Sequence, residues 1–345
     1  MNLKPYTRRE FTKLTLLALP AAGLISTANR LNAADAATKV ANKPNSRVNG
    51  VQIGLNVPYS FGNNLLSADE TLAKCVALGI SGLELRSQPV ELFLGVPTEL
   101  LAPAVRNNPG AVPVESSAVL STAAKADKLR AWRLSAPLAR AKEFRQKYED
   151  AGVMIEVLKF DNIYKYADGE LDYVFMLAKA LGARAISCEI SMTDQREAEL
   201  KRLGSFADKH QLMVGYHGHT KVTPEIWEQA FALAKFNGAN VDIGHFIAGL
   251  HYSPVEFIKK HHDRITHIHI KDRKMRGPKG SKNEEEGPNV PFGEGDTPIT
   301  EVLRLIRDNH WPIQATIEFE YPIPTGSDRM TEIARAVKYC RDALA

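Results

Sequence analysis

The sequence contains 345 residues, of which 44% are hydrophobic and 24% charged, and its formal net charge is +4. This composition is typical of a globular protein and excludes a disordered chain, a collagen-like repeat and a scaffold that depends on disulfides. Because residues 1–36 carry a net charge of +3, the remaining chain carries only +1 and offers no basic surface for a nucleic acid.

The first 36 residues have the pattern of an export signal. A basic segment with adjacent Arg8 and Arg9 precedes an apolar stretch from Leu14 to Ser26, and small residues follow. This order is typical of a secretory signal, and the arginine pair resembles a twin-arginine signal. The apolar stretch is shorter than the roughly 20 residues of a membrane span. We therefore expect residues 1–36 to direct the protein through the Tat export machinery to the periplasm. We expect residues 37–49 to form a polar linker.

Eight apolar runs rich in β-forming residues follow, and helical patterns separate most of them. The runs cover residues 51–56, 81–85, 153–159, 184–189, 211–217, 239–243, 264–270 and 312–319. Strands that alternate with helices form a parallel sheet. We predict one α/β domain over residues 50–345, a (β/α)₈ TIM barrel, with a doubly wound sheet as the alternative. Two stretches exceed a minimal barrel, an insertion over residues 86–135 and a polar loop over residues 272–296.

Local signals mark the ends of several helices. Ser67 and Ser253 each begin a Ser-x-x-Glu pattern, which predicts a capping box at a helix start. Four glycines stand between a helical pattern and a strand, where glycine commonly ends a helix. These glycines are Gly79, Gly152, Gly182 and Gly238.

Ionisable residues recur at the carboxyl ends of the predicted strands. They are Glu84, Glu189, His217, His219, Asp242, His245, His267, His269, Glu318 and Glu320. The active site of a (β/α)₈ barrel lies at this end of the strands. Carboxylates and imidazoles that converge there suit one divalent metal ion such as Mn²⁺, Zn²⁺ or Co²⁺. The sequence therefore predicts a metal site at the mouth of the barrel.

These motifs resemble those of the xylose isomerase-like barrel superfamily, in particular its sugar phosphate isomerase/epimerase group. The resemblance covers roughly residues 50–345, and its most specific pieces are Asp242-x-x-His245, the segment 267–272, Gly293-Glu294-Gly295 and the segment 318–320. It implies that Asp242, His269 and Glu318 bind the metal, with His217 at the fifth-strand position. The best-known epimerases have a glutamate there, so the symmetric pair of carboxylate bases that the family implies is incomplete in this chain.

The candidate catalytic residues are Glu189, His217 and Glu318. A base beside the metal removes the proton α to a carbonyl, and His219 is a further candidate for that base. His219, His245, Lys271 and Glu320 are the candidate substrate-binding residues. Choosing Glu318 over Glu320 as the ligand depends on strand register alone.

We expect an isomerase or epimerase acting on a small carbohydrate, a keto-sugar or another unphosphorylated sugar. A lyase or dehydratase on a keto-sugar, a 3-keto-glycoside or an inosose is the alternative, because both reactions share an enediolate. A non-catalytic carbohydrate-binding barrel is a remote alternative. An abasic-site endonuclease needs histidines on early strands, and none precedes His210. We therefore expect no nucleic-acid partner, and a homo-oligomer stays open.

Overall fold

The computed structural model describes residues 43–101, 122–282 and 284–345. The predicted export signal over residues 1–36 lies outside the described residues, as do residues 37–42 of the predicted linker.

Eight parallel strands form a closed barrel, which confirms the predicted fold. The strands are β1 (Val51–Val57), β2 (Gly82–Arg86), β3 (Met154–Lys159), β4 (Ala185–Glu189), β5 (Met213–His217), β6 (Asn237–Asp242), β7 (Ile265–Ile270) and β8 (Gln314–Ile317). Each strand pairs with the next one in the chain, and β1 pairs with β8 to close the barrel. The carboxyl ends of all eight strands therefore surround one mouth.

Eleven α-helices are found in the described residues. They are α1 (Ala68–Ala77), α2 (Ser87–Phe93), α3 (Thr122–Ser135), α4 (Ala141–Asp150), α5 (Asp168–Leu181), α6 (Arg196–His210), α7 (Pro224–Leu233), α8 (Ile243–Leu250), α9 (Val255–His261), α10 (Ile299–Asp308) and α11 (Arg329–Leu344). Within the described ranges, no helix has both the length and the apolar character that crossing a bilayer requires.

Successive side chains of a strand point alternately into the barrel and out of it, and this alternation decides which side chains reach the interior. On β7, His267 and His269 contact Glu84 on β2 across the barrel, so these two histidines point inward. Ile268 and Ile270 lie between and beyond them and belong to the apolar core. One strand thus supplies polar groups to the interior and apolar groups to the layer under the helices.

The barrel contacts begin before the predicted start at residue 50. Arg47–Val48 pairs antiparallel with β1. Ser46 is buried, and its hydroxyl donates to the carbonyl oxygen of Ile53 at 2.6 Å and lies 3.1 Å from the hydroxyl of Ser81. The end of the predicted linker over residues 37–49 therefore packs at the amino-terminal end of the strands, because its polar groups find partners there.

Three of the four glycines end helices as predicted. Gly79, Gly152 and Gly182 have φ angles of 68°, 83° and 76°. Gly238 instead lies inside β6, where a Cβ atom would stand 2.5 Å from the carbonyl oxygen of Arg264. The close approach of the Arg264 carbonyl explains why position 238 is a glycine. The prediction of a helix end at Gly238 is wrong.

One of the two predicted capping boxes is present. The Ser67 side chain accepts from the backbone of Glu70, and the Glu70 carboxylate accepts from the backbone of Ser67. The helix after Ser253 begins only at Val255, whose backbone N–H donates to the Ser253 hydroxyl at 3.3 Å. Pro254 is the N-cap residue there, so the second box does not form.

A buried ion-pair network connects the insertion over residues 86–135 to the barrel. Arg133 on α3 donates to Glu91 on α2 at 2.8 Å and to Glu170 on α5 at 3.1 Å. These three side chains are 4%, 0% and 5% exposed. The Arg133 guanidinium also lies 4.3 Å from the ring centroid of Tyr166. Arg133 therefore holds two helices and the barrel wall together.

We predict that Arg133→Met lowers the free energy of unfolding by about 3–5 kcal/mol, because it leaves fully buried Glu91 without its cation and removes one of the two arginines that contact Glu170. Urea unfolding followed by circular dichroism measures this loss. Arg130→Met is the matched control. Arg130 also contacts Glu170 but is 40% exposed, so its loss should cost about 1 kcal/mol or less. Equal losses in the two variants would contradict the role given to Arg133.

Candidate metal centre

The four residues predicted to bind a metal lie together at the mouth of the barrel. His217 ends β5, Asp242 ends β6, His269 lies on β7 and Glu318 follows β8 by one residue. One ligand atom from each lies within 4.8 Å of the others. All four side chains are buried. Register explains part of this arrangement, because Asp242 is paired directly with His269.

These residues fit a divalent metal ion. The Nδ1 atom of His269 lies 3.2 Å from Glu318 Oε2 and 3.7 Å from Asp242 Oδ2. His217 Nδ1 is buried and has no hydrogen-bond partner, and buried Asp242 Oδ2 makes no hydrogen bond but forms an ion pair with Lys271 Nζ at 3.0 Å. A buried polar atom without a partner is costly, and a metal ion held by these residues would supply one to His217. Two imidazoles and two carboxylates are a ligand set that Mn²⁺, Zn²⁺ and Co²⁺ share.

Glu84 on β2 orients His269 from the opposite side of the barrel. Glu84 is fully buried, and its Oε2 lies 2.5 Å from His269 Nε2 while its Oε1 lies 3.1 Å from His267 Nε2. A carboxylate behind a metal-binding histidine fixes the tautomer and the orientation of the ring. Glu84 thus fixes the His269 ring from its Nε2 side and leaves Nδ1 facing Asp242 and Glu318. Burial lowers the pKa of His269, but Glu84 and Glu318 outweigh burial and raise this pKa well above its usual value, so a metal ion bound at Nδ1 would displace a proton.

The charges around Glu84 agree with this role. Burial raises the pKa of Glu84, but the imidazoles of His269 and His267 outweigh burial and hold this pKa well below its usual range. Burial lowers the pKa of His267 to about 4 even though Glu84 opposes the shift. Glu84 is therefore ionised and His267 neutral at physiological pH, and Glu84 Oε2 accepts from the His269 ring.

Lys271 lies inside the site, not at its rim. Its side chain is 2% exposed, and its Nζ atom lies 3.0 Å from Asp242 Oδ2, 2.7 Å from Glu318 Oε2 and 2.5 Å from Glu320 Oε2. The Nζ atom is also 3.2 Å from Nε2 of His245. The residue predicted to contact substrate oxygens thus contacts the carboxylates of the site.

Glu318 and Glu320 have different surroundings. Glu318 is 5% exposed, and its second oxygen, Oε1, accepts from Asn56 at 2.7 Å. Glu320 is 21% exposed, and its Oε1 accepts from the Tyr59 hydroxyl at 2.6 Å. Of the two, only Glu318 belongs to the group with His217, Asp242 and His269. The geometry therefore agrees with the choice of Glu318 as the ligand.

Glu189 and His219 form a pair beside the metal ligands. Glu189 Oε2 lies 2.7 Å from His219 Nε2, and Glu189 Oε1 lies 3.2 Å from the Nζ atom of buried Lys159. Burial raises the pKa of Glu189, but Lys159 and the neighbouring imidazoles keep it well below its usual range. His219 is 47% exposed. An ionised Glu189 thus orients an imidazole that solvent and substrate can reach.

His245 is held between two cations. Arg273 Nη1 donates to His245 Nδ1 at 2.7 Å, and the other donors of this guanidinium bond the carbonyl oxygen of Gly287. Burial is the main cause that lowers the pKa of His245 to about 3, and Lys271 adds to it. The imidazole is therefore neutral, with its proton on Nε2. Its ring stacks on His219 at a centroid distance of 4.7 Å.

Asp272 anchors the polar loop over residues 272–296 beside the mouth. Its Oδ2 accepts from the backbone N–H groups of Gly293 at 2.8 Å and Gly295 at 2.9 Å. A Cβ atom at position 295 would lie 1.9 Å from Asp272 Oδ1. The Gly293-Glu294-Gly295 motif therefore lets the chain wrap closely around this carboxylate.

Sequence reasoning missed several residues of the site. The sequence identifies Glu84 only as a strand-end residue, and Lys159 ends the third predicted strand without a motif of its own. Arg273 lies in a run of charges that usually indicates a solvated loop, yet it is 7% exposed. For Glu84 and Lys159 the available signal was their place at a strand end.

Comparison with known proteins finds a family match over part of the chain and solved structures with a similar fold. Residues 173–343 match the family model described as xylose isomerase-like TIM barrel. An inosose dehydratase from Clostridium botulinum (strain Eklund 17B / Type B) is 26% identical over 137 residues, which is 35% of this chain and 45% of that protein. The chain spans about half the length of the curated relatives it matches.

Two solved structures have a similar fold. The probable 3-DHS dehydratase AsbF from Bacillus anthracis superposes with a TM-score of 0.54 at 14% identity, over 84% of this chain and 98% of that one. A D-psicose 3-epimerase in the presence of D-fructose superposes with a TM-score of 0.51 at 12% identity, over 85% of this chain and 97% of that one. At these identities the likeness shows the fold alone.

We predict that Glu84→Gln lowers the affinity for Mn²⁺ by 10- to 100-fold, because the neutral amide no longer fixes the His269 ring. Isothermal titration of metal-free protein with Mn²⁺ measures the change. Glu156→Gln is the control, since Glu156 on the same barrel pairs with partly exposed Arg184 away from the mouth. An unchanged affinity in Glu84→Gln would contradict the role of Glu84.

Proposed function

We propose that this chain, a xylose isomerase-like TIM barrel, is a metal-dependent lyase that removes water or an alcohol from an unphosphorylated keto-sugar, keto-glycoside or inosose. The observation that carries the proposal is the Glu189–His219 pair beside the metal ligands. It provides one accessible base, while the fifth-strand position is occupied by His217 and supplies no second carboxylate base.

The metal would be held by His217, Asp242, His269 and Glu318. A divalent ion bound there supplies Lewis-acid polarisation of a substrate carbonyl. With the metal held by these four side chains, His217 and Glu318 would act as ligands. His219 would then be the general base.

His219 is the base that the geometry supports best. Its Nε2 atom lies 2.7 Å from ionised Glu189, so in the proposed reaction Nε2 keeps its proton beside the carboxylate and Nδ1 accepts the substrate proton. In the proposed reaction His219 removes the proton α to the carbonyl, and the bond between the β carbon and its oxygen substituent breaks. The protonated imidazole then returns the proton to the leaving oxygen, which departs as water or an alcohol. A positioned base typically contributes about 10²–10⁴ to the rate.

The charges at the mouth support an uncharged substrate. Asp242, Glu318 and Glu320 surround one ammonium group, which leaves an excess of two negative charges, the charge that one divalent ion neutralises. Two other buried cations are already paired: Arg86 with Asp161 at 2.6 Å and Lys159 with Glu189 at 3.2 Å. Buried Arg273 donates to His245 and to the carbonyl oxygen of Gly287. A phosphate would therefore compete with existing partners of Lys271, Arg86, Lys159 and Arg273. The export pattern of residues 1–36 leads us to place the reaction in the periplasm.

The curated relatives that match the sequence are inosose dehydratases, which supports elimination from a cyclic ketone.

One observation favours an isomerase or epimerase as the second candidate. Glu189 ends β4 and Glu320 follows β8, so two partly exposed carboxylates stand at opposite sides of the barrel mouth. Two bases on opposite faces of a sugar carbon are what epimerisation needs.

We predict that the Mn²⁺-loaded protein, incubated in D₂O with unphosphorylated keto-sugars and inososes, forms an unsaturated ketone that absorbs in the ultraviolet. His219→Ala should lower this rate by about 10²–10⁴ and keep its bound metal. His310→Ala, in an exposed turn after α10, is the matched control and should behave as the wild type.

Three other outcomes would change the proposal. Deuterium uptake with no new absorbance would contradict elimination and support the isomerase or epimerase. Activity on phosphorylated sugars alone would contradict the substrate class. If carbohydrates bind but show neither deuterium exchange nor new ultraviolet absorbance, both enzymatic activities are contradicted. That result would favour a binding protein.

A further inference from the structure

A second group of potential metal ligands adjoins the first. One ligand atom each from His245, Glu318 and Glu320 lies within 4.8 Å of the others. Glu318 belongs to both groups, so two cations bound there would share one carboxylate. Enzymes with two metal ions hold them about 3.5–4 Å apart, commonly through such shared ligands.

The ammonium group of Lys271 lies at the second group. Its Nζ atom is 2.7 Å from Glu318, 2.5 Å from Glu320 and 3.2 Å from His245 Nε2. The same atom lies 3.0 Å from Asp242 Oδ2, the oxygen that also faces His269. The lysine stem is buried, and Gly244 leaves room for it, since a Cβ atom there would lie 2.4 Å from Lys271 Cγ.

The charge at this position limits what else can bind. Three carboxylates face one ammonium, and one divalent ion in the first group brings their sum to zero. A second divalent ion would add an excess of positive charge to a buried site, which is costly without further ligands of negative charge. The second ion would also have to displace the Lys271 Nζ atom from the oxygens of Glu318 and Glu320, which it needs as ligands.

We propose that the Lys271 ammonium occupies a second cation position, formed by the carboxylates of Glu318 and Glu320 beside His245, and thereby restricts the centre to one metal ion. The inference depends on the metal site of the proposed function. In this account Lys271 is a permanent cation that holds Glu318 and Glu320 in place and leaves His217, Asp242, His269 and Glu318 as the single metal site.

Metal stoichiometry tests the inference directly. Wild type, Lys271→Gln, Lys271→Arg and the double variant Lys271→Gln/Glu320→Gln are stripped with a chelator, loaded with Mn²⁺ and freed of excess ion. Elemental analysis then gives Mn²⁺ per chain, and electron paramagnetic resonance detects coupling between neighbouring ions. We expect one ion in the wild type and two coupled ions in Lys271→Gln. Lys271→Arg keeps a cation and the double variant loses a ligand, so each should bind one.

A single ion in Lys271→Gln, or two ions in the wild type, would overturn the inference while leaving the metal-dependent enzyme intact. No ion in the wild type would instead contradict the proposed function. If Lys271→Gln is too unstable to strip, its melting temperature in increasing Mn²⁺ decides the question. A rise larger than that of the wild type is expected, because the second ion replaces the lost charge. A rise equal to or smaller than that of the wild type would overturn the inference.

Discussion

The burial of Asp242, Glu318 and Glu320 around one lysine is the constraint on which the rest of the site depends. Ionised groups removed from water are strongly destabilising unless opposite charges and hydrogen bonds compensate them. Lys271 balances one negative charge, and Asn56 and Tyr59 donate to the outer oxygens of the two glutamates. The remaining excess of negative charge, beside the His269 imidazole, is what makes this mouth suited to a divalent cation.

The barrel brings the compensating groups from strands that are far apart in the sequence. Glu84 on β2 reaches His267 and His269 on β7 across the interior, a separation of 185 residues between Glu84 and His269. Arg273, at the start of the polar loop, fixes the His245 ring, while Asp272 ties the same loop to the mouth. The loop therefore helps to position a side chain of the site, and its tight turn depends on Gly293 and Gly295.

The barrel, its eight strands and the convergence of His217, Asp242, His269 and Glu318 at one mouth could be predicted from the sequence, because strand ends in a parallel barrel converge. The role of Glu84 could not, since nothing local in Leu83-Glu84-Leu85 says which side chain it meets across the barrel. Lys271 and Arg273 stand where a charge run enters a loop, and a run of that kind is usually solvated. Their burial depends on carboxylates and carbonyls that only the closed fold brings near. The helix end predicted at Gly238 is wrong for the same reason, because Arg264, whose carbonyl group approaches it, comes later in the chain.

The most direct test of the account is a crystal structure of the Mn²⁺-loaded protein with anomalous diffraction measured at the manganese absorption edge. The account predicts one strong anomalous peak bounded by His217, Asp242, His269 Nδ1 and Glu318, with Lys271 still bonded to Glu320. A peak among His217, His219 and His245, or one that displaces Lys271 in the wild type, would contradict it.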